Sequence, residues 1–303
     1  MSAVEIALPA ARQELRARHV GASEVAALFG ASPYMTAFEL WHIKRGALPA
    51  PDLDDSDRVF WGQVLEPAVA QGAAAMRGWR VRRVRRYSPH QRVAGMGASM
   101  DFEIIAHERG AGCLEIKNVD RLVYRDTWED GEPPLHIELQ LQHQLACTGR
   151  SWGAIAALIG GNDLKVFERE RRPKTIERIE NAVAAFWASI EAGREPKPDF
   201  LADAAAIAAL HRDATTGKVE DMTGDNRLTE LCTLYRFAAD AEKAAGEAKD
   251  AAKAEMLTKI GDAERVICGP HTISAKTVAG GPVAYERAPY RNFRLTTKKE
   301  AAA

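Results

Sequence analysis

The sequence lacks any run of eighteen or more apolar residues, although it is 303 residues long and 46% hydrophobic. A transmembrane helix needs such a run, so we expect no membrane span. Met1–Arg12 also lacks the basic start and long apolar middle of a secretion signal, which predicts a cytoplasmic protein. A chain of this length can bury one sizeable core and has room for a second, smaller unit.

Cysteine is scarce and scattered. The chain has four cysteines, and no two of them form a CxxC pair. This spacing argues against a zinc knuckle and against a disulfide framework. We expect Cys113, Cys147, Cys232 and Cys268 to be reduced thiols in packed positions.

Acidic residues are absent from one stretch, Arg77–Arg92, which contains seven arginines. The formal charge of the whole chain is only −1, so this is a local excess. Two interpretations fit the stretch. It is either a surface that binds a polyanion or a solvated strand edge that resists pairing with another sheet.

Helical and strand patterns alternate from Leu15 to about Phe200, which is typical of an α/β or α+β core. Two prolines in "EPKPDF" interrupt both helix and sheet, and we predict a domain boundary at residue 200. Residues 201–303 are predicted to form an extension. It would contain a long alanine-rich helix or a helical hairpin, and then a short β-hairpin that turns at Gly280 and Gly281.

Local signals place the elements of the core. Ser23 is predicted to cap a helix that ends at Gly30, and a longer helix is expected from about Asp57. The segment "PLHIELQLQHQLACTG" is predicted to be helical. Strands are predicted over Trp79–Tyr87, Ala98–Ala106 and Gly112–Asn118, and a strand hairpin is expected to turn at Gly160, Gly161 and Asn162.

Three charged residues occur in a segment with the pattern of a strand hairpin: Asp101, Glu115 and Lys117. Because residues two apart on a strand share a face, Glu115 and Lys117 should project together, with Asp101 on the neighbouring strand. Such charges are costly to bury without compensation, and Mg²⁺ held by the two carboxylates and the Ile116 carbonyl would compensate them. A plain surface ion pair is the alternative interpretation.

Four stretches of the sequence carry a family resemblance. They are "RARHVGASEVAALFGASPYMTAFELWHIKRG", "GQVLEP", "SMDFEI" with "LEIKN", and "QLQHQLACTG". Together they resemble the start, the GxxxEP helix, the D…ExK centre and the glutamine-rich helix of YqaJ-like phage recombinase exonucleases, relatives of lambda exonuclease in the PD-(D/E)xK nuclease superfamily. The resemblance covers about Leu15 to Phe200. It implies a restriction-endonuclease-like α/β (α+β) core with a central mixed β-sheet flanked by helices.

The resemblance implies a metal-dependent nuclease centre. Asp101, Glu115 and the Ile116 carbonyl would bind Mg²⁺, for which Mn²⁺ would substitute, and Lys117 would assist the attacking water. Glu66 matches a glutamate that lies near the metals in this family and would help to bind a second ion.

The resemblance also implies contacts to phosphate groups. Gln140 matches the glutamine that contacts the phosphate in the active site. Arg16, Ser23 and Ser99 match the arginine and the two serines that hold the terminal 5′-phosphate, with Arg18 as an alternative to Arg16. A serine at a helix start is a natural anion site, because free backbone N–H groups and the helix dipole add to its hydroxyl.

Other polar and aromatic residues receive no functional role. A plain helix surface is the interpretation of Gln142, His143 and Gln144. His143 occupies a position at which related nucleases often have tyrosine. Packing in the core is the interpretation of Trp61, Trp79 and Trp152.

The resemblance implies Mg²⁺-dependent degradation of linear duplex DNA from a 5′-phosphorylated end, which leaves a 3′ single strand. It further implies a phage or prophage protein of the bacterial cytoplasm that acts in recombination by single-strand annealing, with an annealing protein as partner and a homotrimeric ring around DNA. Travel along any sequence needs contacts to the DNA backbone, for which the candidates are Arg82, Arg83, Arg85 and Arg86. A structure-specific or restriction-type endonuclease and a non-catalytic DNA-binding module remain open as alternatives.

Overall fold

The computed structural model of the chain describes residues 10–51, 56–285, 287 and 290–296. The interpretation of Met1–Arg12 therefore falls largely outside the described residues. Within these ranges no helix combines the length and the apolar character needed to cross a bilayer. The chain divides into two units between Leu210 and His211, whereas the sequence predicts the boundary at residue 200.

The first unit contains seven α-helices and seven strands among its described residues, joined in places by short 3₁₀ turns. Its helices are α1 (Ala10–Ala17), α2 (Ala37–Lys44), α3 (Asp57–Arg77), α4 (Arg121–Thr127), α5 (Leu135–Thr148), α6 (Pro173–Glu191) and α7 (Ala204–Leu210). Its strands are β1 (Arg80–Arg83), β2 (Tyr87–Pro89), β3 (Gly97–Ser99), β4 (Phe102–Ile105), β5 (Gly112–Val119), β6 (Trp152–Ile159) and β7 (Asp163–Glu170).

Five strands form a central mixed sheet in the order β1-β4-β5-β6-β7. Only β5 and β6 are parallel within it, and the other neighbouring pairs are antiparallel. Helix α3 packs on one face through Val69, Ala70 and Ala73, while α5 and α6 contribute to the apolar cluster on the other face. The predicted α/β class, with a mixed sheet flanked by helices, is confirmed.

The parallel pair explains where α5 lies. Two parallel strands cannot be joined by a tight turn and need a crossover connection. Between β5 and β6 this connection includes α4 and α5. The crossover brings α5 over the face of β5 from which Glu115 projects, and Gln140 of α5 contacts that glutamate.

Two predicted strands are each split between two sheets. The segment Trp79–Tyr87 forms β1 and then enters β2, and Ala98–Ala106 contains parts of β3 and β4. Strands β2 and β3 pair only with each other, so the chain leaves this small sheet after Ser99 and joins the central sheet at Phe102. The prediction of one continuous strand for each of these two segments is therefore wrong.

The second unit contains α8 (Asn226–Ile260) and a hairpin of β8 (Arg265–Cys268) and β9 (His271–Ser274). Asp225 caps α8 by accepting a hydrogen bond from Leu228 N, and no residue of α8 is buried. The hairpin turns at Gly269, whose φ of +56° suits glycine, and not at the predicted glycines 280 and 281.

The four cysteines are all free thiols. Cys113 and Cys147 are buried, as expected for packed thiols, and Cys232 is half-buried. The prediction of a packed position is wrong for Cys268, which is exposed on β8.

Candidate active site

Strand β5 presents Glu115 and Lys117 on one face of the central sheet and Ile116 on the other. Ile116 is buried in the apolar cluster beneath α3. On the opposite face Lys117 Nζ donates a hydrogen bond to Glu115 Oε1 at 2.8 Å. The side-chain alternation of a strand, which predicts this arrangement, therefore holds at the motif.

Asp101 does not lie on the neighbouring strand, which corrects the sequence prediction. It occupies the break between β3 and β4, where the chain passes from one sheet to the other. Because Asp101 is outside the regular pleat, its carboxylate can turn toward β5, and its Oδ2 accepts a hydrogen bond from Ile116 N at 2.9 Å. The break therefore joins the aspartate directly to the strand that carries the ExK pair.

Helix α5 holds the Glu115 carboxylate with two glutamine side chains. Gln140 Nε2 donates to Glu115 Oε1 at 2.5 Å, and Gln140 Oε1 accepts from Lys117 Nζ at 2.8 Å. Gln144 Nε2 donates to Glu115 Oε2 at 2.6 Å and also contacts the Ser99 carbonyl at 3.1 Å. Glu115 is therefore fixed at both oxygens, and Gln144 is a site residue that the sequence prediction missed.

The interpretation of Gln142, His143 and Gln144 as helix surface is wrong, because all three are buried. Gln142 bonds to the Glu170 carbonyl and to Arg172 N. His143 Nε2 lies 3.0 Å from the Gly97 carbonyl, and burial lowers the pKa of His143 to about 4, so the ring is neutral. The leucines that flank these three residues in the sequence are the only signal for this burial.

Glu66 lies on α3 and is held by Arg83, whose Nη2 is 3.0 Å from Glu66 Oε2. Burial raises the pKa of Glu66, and the charge of Glu115 raises it further, against the opposing effect of Arg83. Glu66 is therefore close enough to the ExK pair to sense its charge.

Trp61, which is also on α3, is 53% exposed, so its predicted place in the core is wrong. Trp152 is fully buried, as predicted.

The charges of the site are poorly balanced. Burial, followed by the charges of Glu115 and Glu66, raises the pKa of Asp101 well above its usual value. Burial lowers the pKa of Lys117, but Glu115 and then Asp101 outweigh burial, so the pKa of the lysine is raised. One lysine thus faces a group of mutually repelling carboxylates, and the site favours additional positive charge.

The residues present fit a hard divalent cation. No group of three His, Cys, Asp or Glu side chains in the described ranges is arranged to hold an ion by itself. Mg²⁺ does not require such a group, because it commonly takes one or two protein carboxylates and fills its shell with water and phosphate oxygens. Asp101 and Glu115 supply oxygen ligands of this kind, and the raised pKa of Asp101 is the electrostatic reason to accept a cation there.

A cleft of about 140 Å³ unites the two predicted groups of site residues. Its lining includes Asp101, Glu115 and Gln140 from the proposed metal and phosphate site. It also includes the three residues predicted to hold a terminal phosphate, Arg16, Ser23 and Ser99. Lys117 and Ile116 adjoin this lining through their hydrogen bonds to Glu115 and Asp101, and Glu66 senses the charge of Glu115.

Ser23 is not a helix cap, which corrects the sequence prediction. The segment after it forms a five-residue 3₁₀ turn, Val25–Phe29, preceded by Glu24 in the cap position, and Ser23 is exposed within a tight turn. Gly30 does end the segment, with a φ of +63°. Ser23 therefore reaches the cleft from a loop, without the dipole of a long helix behind it.

Arg16 and Arg18 occupy different surroundings. Arg16 lines the cleft, and its carbonyl accepts a hydrogen bond from Lys44 Nζ at 2.8 Å. Arg18 is exposed and pairs with Glu14 one turn away at 3.0 Å. Of the two alternatives, Arg16 is the one that borders the candidate site.

The arginine-rich stretch is partly neutralised by the protein. Arg82 pairs with Glu103 at 2.5 Å and Arg83 pairs with Glu66 at 3.0 Å. Arg85 and Arg86 are exposed, and no ion pair within the described ranges involves either of them. The last two are therefore the better candidates for contact with a polyanion.

Comparison with known proteins agrees with the motifs. Residues 13–151 match the family described as "YqaJ-like viral recombinase domain". The chain is 27% identical over 274 residues to a protein of Bacillus subtilis (strain 168) described as "Uncharacterized protein YqaJ", with 88% of this chain and 83% of that protein covered. Two crystal structures of the alkaline exonuclease LHK-Exo, from Laribacter hongkongensis, are each 27% identical.

The structure of LHK-Exo with dAMP covers 63% of this chain and 95% of that chain, with a TM-score of 0.49. The other LHK-Exo structure covers 65% and 98%, with a TM-score of 0.48. Residues 13–151 thus match a YqaJ-like viral recombinase domain, in agreement with the resemblance that the motifs predict. Together with the carboxylate and lysine site, this domain supports a nuclease role.

Proposed function

We propose that the protein is a Mg²⁺-dependent 5′-to-3′ exonuclease that degrades one strand of linear duplex DNA from a 5′-phosphorylated end. The observation that carries the proposal is the single cleft lined both by Asp101 and Glu115 and by Arg16. Carboxylates that hold a cation suit the scissile phosphate, and an arginine with two serine hydroxyls suits a terminal phosphate. The carboxylates and the predicted phosphate-binding residues line one small cleft. This arrangement suits cleavage close to a strand end.

The metal would be held by Asp101, Glu115 and the Ile116 carbonyl, and Glu66 would contribute to a second ion. When bound, Mg²⁺ supplies Lewis-acid polarisation of the phosphate and lowers the pKa of water. The protein holds the carboxylates ready for it. The Ile116 amide orients Asp101, and the amides of Gln140 and Gln144 orient Glu115.

Lys117 is a hydrogen-bond donor in the metal-free protein, where Glu115 and Asp101 raise its pKa. A protonated Nζ cannot remove a proton from water, but it can orient the attacking water and offset the charge that develops on the phosphate. Gln140 holds Lys117 in place by accepting one of its three N–H bonds.

The products would be mononucleotides and a duplex with a 3′ single-stranded overhang. This overhang would be available for annealing. This outcome suits the viral recombinase domain, and we propose a single-strand annealing protein as the partner. We further propose a homotrimeric ring around duplex DNA, with Arg85 and Arg86 on the DNA side. Sedimentation velocity should find a mass three times that of one chain, and a monomer that degrades DNA would contradict the ring.

The decisive experiment is digestion of linear duplexes labelled at either end, with and without Mg²⁺, and with 5′-phosphate or 5′-hydroxyl termini. We expect early loss of the 5′ label, no reaction without the metal, and slower digestion of hydroxyl ends. A covalently closed circle should resist digestion. Equal degradation of circular and linear DNA would indicate an endonuclease instead, and activity that survives Lys117→Ala would mean that this site is not catalytic.

A further inference from the structure

Two hydroxyl groups of the cleft wall have no hydrogen-bond partner. Ser99 Oγ and Tyr87 Oη are both buried, and neither is paired within the described residues. A buried hydroxyl without a partner is unfavourable, so each of the two is available to form a hydrogen bond with a bound ligand. Ser99 already has a proposed role at the terminal phosphate, whereas Tyr87 has none.

The small sheet places Tyr87 and Ser99 side by side. Tyr87 on β2 is directly opposite Ser99 on β3 in the antiparallel pair, so their side chains share one face. Both residues line the cleft together with Arg16 and Ser23. Tyr87, Ser99 and Arg16 therefore border the same cleft.

The tyrosine ring is held in this position by its neighbours. A Cβ on Gly97 would lie 2.6 Å from Tyr87 Oη and 2.5 Å from its Cε1, so only glycine leaves room for the ring across β3. The ring of His19 meets the tyrosine ring edge-on, with 5.4 Å between the centroids. A ring that is fixed on two sides presents its hydroxyl in one direction, with little loss of side-chain freedom when a ligand binds.

The cleft has more carboxylates than cations in its lining. Uncharged hydrogen-bond donors are therefore needed to hold an anion there. Of the described residues that line it, Arg16 is the one cation, while Glu24, Asp101 and Glu115 are carboxylates. Burial, and then the neighbouring Cys147 and Glu24, raises the pKa of Tyr87. The tyrosine therefore keeps its proton and remains a hydrogen-bond donor throughout the neutral and mildly alkaline range.

We propose that the Tyr87 hydroxyl donates a hydrogen bond to the terminal 5′-phosphate beside the Ser99 hydroxyl, and that it contributes to the selection of phosphorylated ends. This inference rests on the proposed function and adds a specificity residue to the same cleft. Removal of the hydroxyl should weaken binding of phosphorylated ends and leave hydroxyl ends unaffected.

The test is Tyr87→Phe, which keeps the ring and removes only the hydroxyl. Steady-state digestion is measured on linear duplexes that differ only in the 5′ terminus. We expect kcat/KM for phosphorylated ends to fall roughly tenfold, mainly through KM, because a hydrogen bond to a charged group is lost. Activity on 5′-hydroxyl ends should stay within about twofold by the same reasoning. Tyr124→Phe is the matched control, since the Tyr124 hydroxyl bonds to Lys165 and does not line the cleft.

An equal fall on both kinds of end would overturn the inference, because a purely structural hydroxyl would produce it. Fluorescence anisotropy with the same duplexes in EDTA gives a second measurement that needs no catalysis. There the wild type should prefer the phosphorylated duplex, and Tyr87→Phe should lose most of that preference. If the wild type binds phosphorylated ends selectively but cleaves nothing with Mg²⁺, the proposed function fails while the Tyr87 assignment is still decided by the binding data.

Discussion

Asp101 and Glu103 are two residues apart, and the protein balances their charges in opposite ways. Glu103 on β4 is buried, and Arg82 and Arg150 both bond to its carboxylate. Burial raises the pKa of Glu103, but the hydrogen bonds from Arg150 and Arg82 outweigh burial and lower it. Asp101 instead faces Glu115 and Glu66, and its pKa is raised well above the usual value.

The difference separates a structural carboxylate from a functional one. Glu103 is fully compensated by side chains of the protein itself, so it ties β1, β4 and the start of β6 together without need of a ligand. Asp101 is placed where its neighbours repel its charge, and that repulsion is removed either by a proton or by an added cation. Two carboxylates on the same stretch of chain thus differ in role because of the charges around them.

The largest expected effect contrasts Glu115→Gln with Glu103→Gln. Glu115→Gln removes one of the crowded carboxylates, and we expect DNA digestion to fall on the order of 10³-fold while DNA binding and folding persist. Glu103→Gln leaves Arg150 without its partner, and we expect a loss of roughly 3 kcal/mol in the free energy of unfolding. Activity per folded molecule should remain within about threefold for this second variant.

Digestion kinetics and urea unfolding measure the two quantities. The comparison between the carboxylates breaks down if Glu103→Gln abolishes activity while it is still folded, because Glu103 would then belong to the reacting site. It also breaks down if Glu115→Gln unfolds the protein.

The second prediction uses two buried glutamines on α5. Gln144→Leu removes the donor to Glu115 Oε2, while Gln142→Leu removes bonds to the Glu170 carbonyl and to Arg172 N. Both side chains are 1% exposed, so both variants should lose roughly 1–3 kcal/mol of stability. Only Gln144→Leu should also lower kcat, by about tenfold, because Glu115 is then free to reorient.

Steady-state kinetics beside thermal unfolding of the two variants decides the matter. Equal kcat values for Gln144→Leu and Gln142→Leu would mean that Gln144 only fills space and does not orient Glu115. Recovery of kcat in Gln144→Asn, which keeps a shorter amide donor, would instead support the orienting role.

Sequence reasoning succeeds where a short-range rule determines the outcome. The strand period places Glu115 and Lys117 on one face and Ile116 on the other, because that alternation depends only on local backbone geometry. The helix expected from about Asp57 is likewise found as α3, which Ser56 caps by accepting a hydrogen bond from Val59 N. These are features that neighbours in the sequence specify without help from distant residues.

It fails where the partners come from distant segments. Gln144 looks like a surface residue because its neighbours are Gln142 and His143, yet it is buried by contacts with Ser99 and Glu115, 45 and 29 residues away. The break at Asp101 has the same origin, since nothing local tells the chain to change sheets there. The pairing of strands depends on tertiary contacts. The site lies at the point where the change of pairing partner interrupts a strand.

The third prediction concerns the arginines of the basic stretch. Arg85 and Arg86 are exposed and outside any ion pair of the described ranges, whereas Arg82 is engaged by Glu103. The double variant Arg85→Ala/Arg86→Ala should weaken duplex binding about fivefold and reduce the slope of log affinity against log salt by about 2, as expected for two lost phosphate contacts. Arg82→Ala is the control and should lower stability with little change in that slope.

Binding isotherms at several salt concentrations provide the slopes. An unchanged slope in the double variant would indicate that the stretch is a solvated strand edge and not a DNA contact. A slope that falls equally in Arg82→Ala would mean that its ion pair with Glu103 opens when DNA binds.

The smallest expected effect is a shift in melting temperature that depends on pH and Mg²⁺. A carboxyl whose folded pKa is raised stabilises the fold below its unfolded pKa, near ~3.9 for aspartate, and loses that contribution as the pH rises through the folded pKa. Asp101 should therefore destabilise the metal-free protein increasingly as the pH rises from the unfolded pKa toward the raised folded pKa, and Mg²⁺ should restore the loss. We expect the Mg²⁺-induced rise in melting temperature to be roughly 3 °C larger at pH 8.5 than at pH 6.

Asp101→Asn provides the sharpest form of this measurement by differential scanning calorimetry. The amide cannot ionise, so the metal-free variant should be more stable than the wild type at pH 8.5, and its response to Mg²⁺ should be small at every pH. Glu103 has the opposite sign, because its lowered pKa contributes stability that is lost as the pH falls, and this loss should not respond to Mg²⁺. A wild-type Mg²⁺ response that survives Asp101→Asn would place the cation elsewhere and remove the distinction between the two carboxylates.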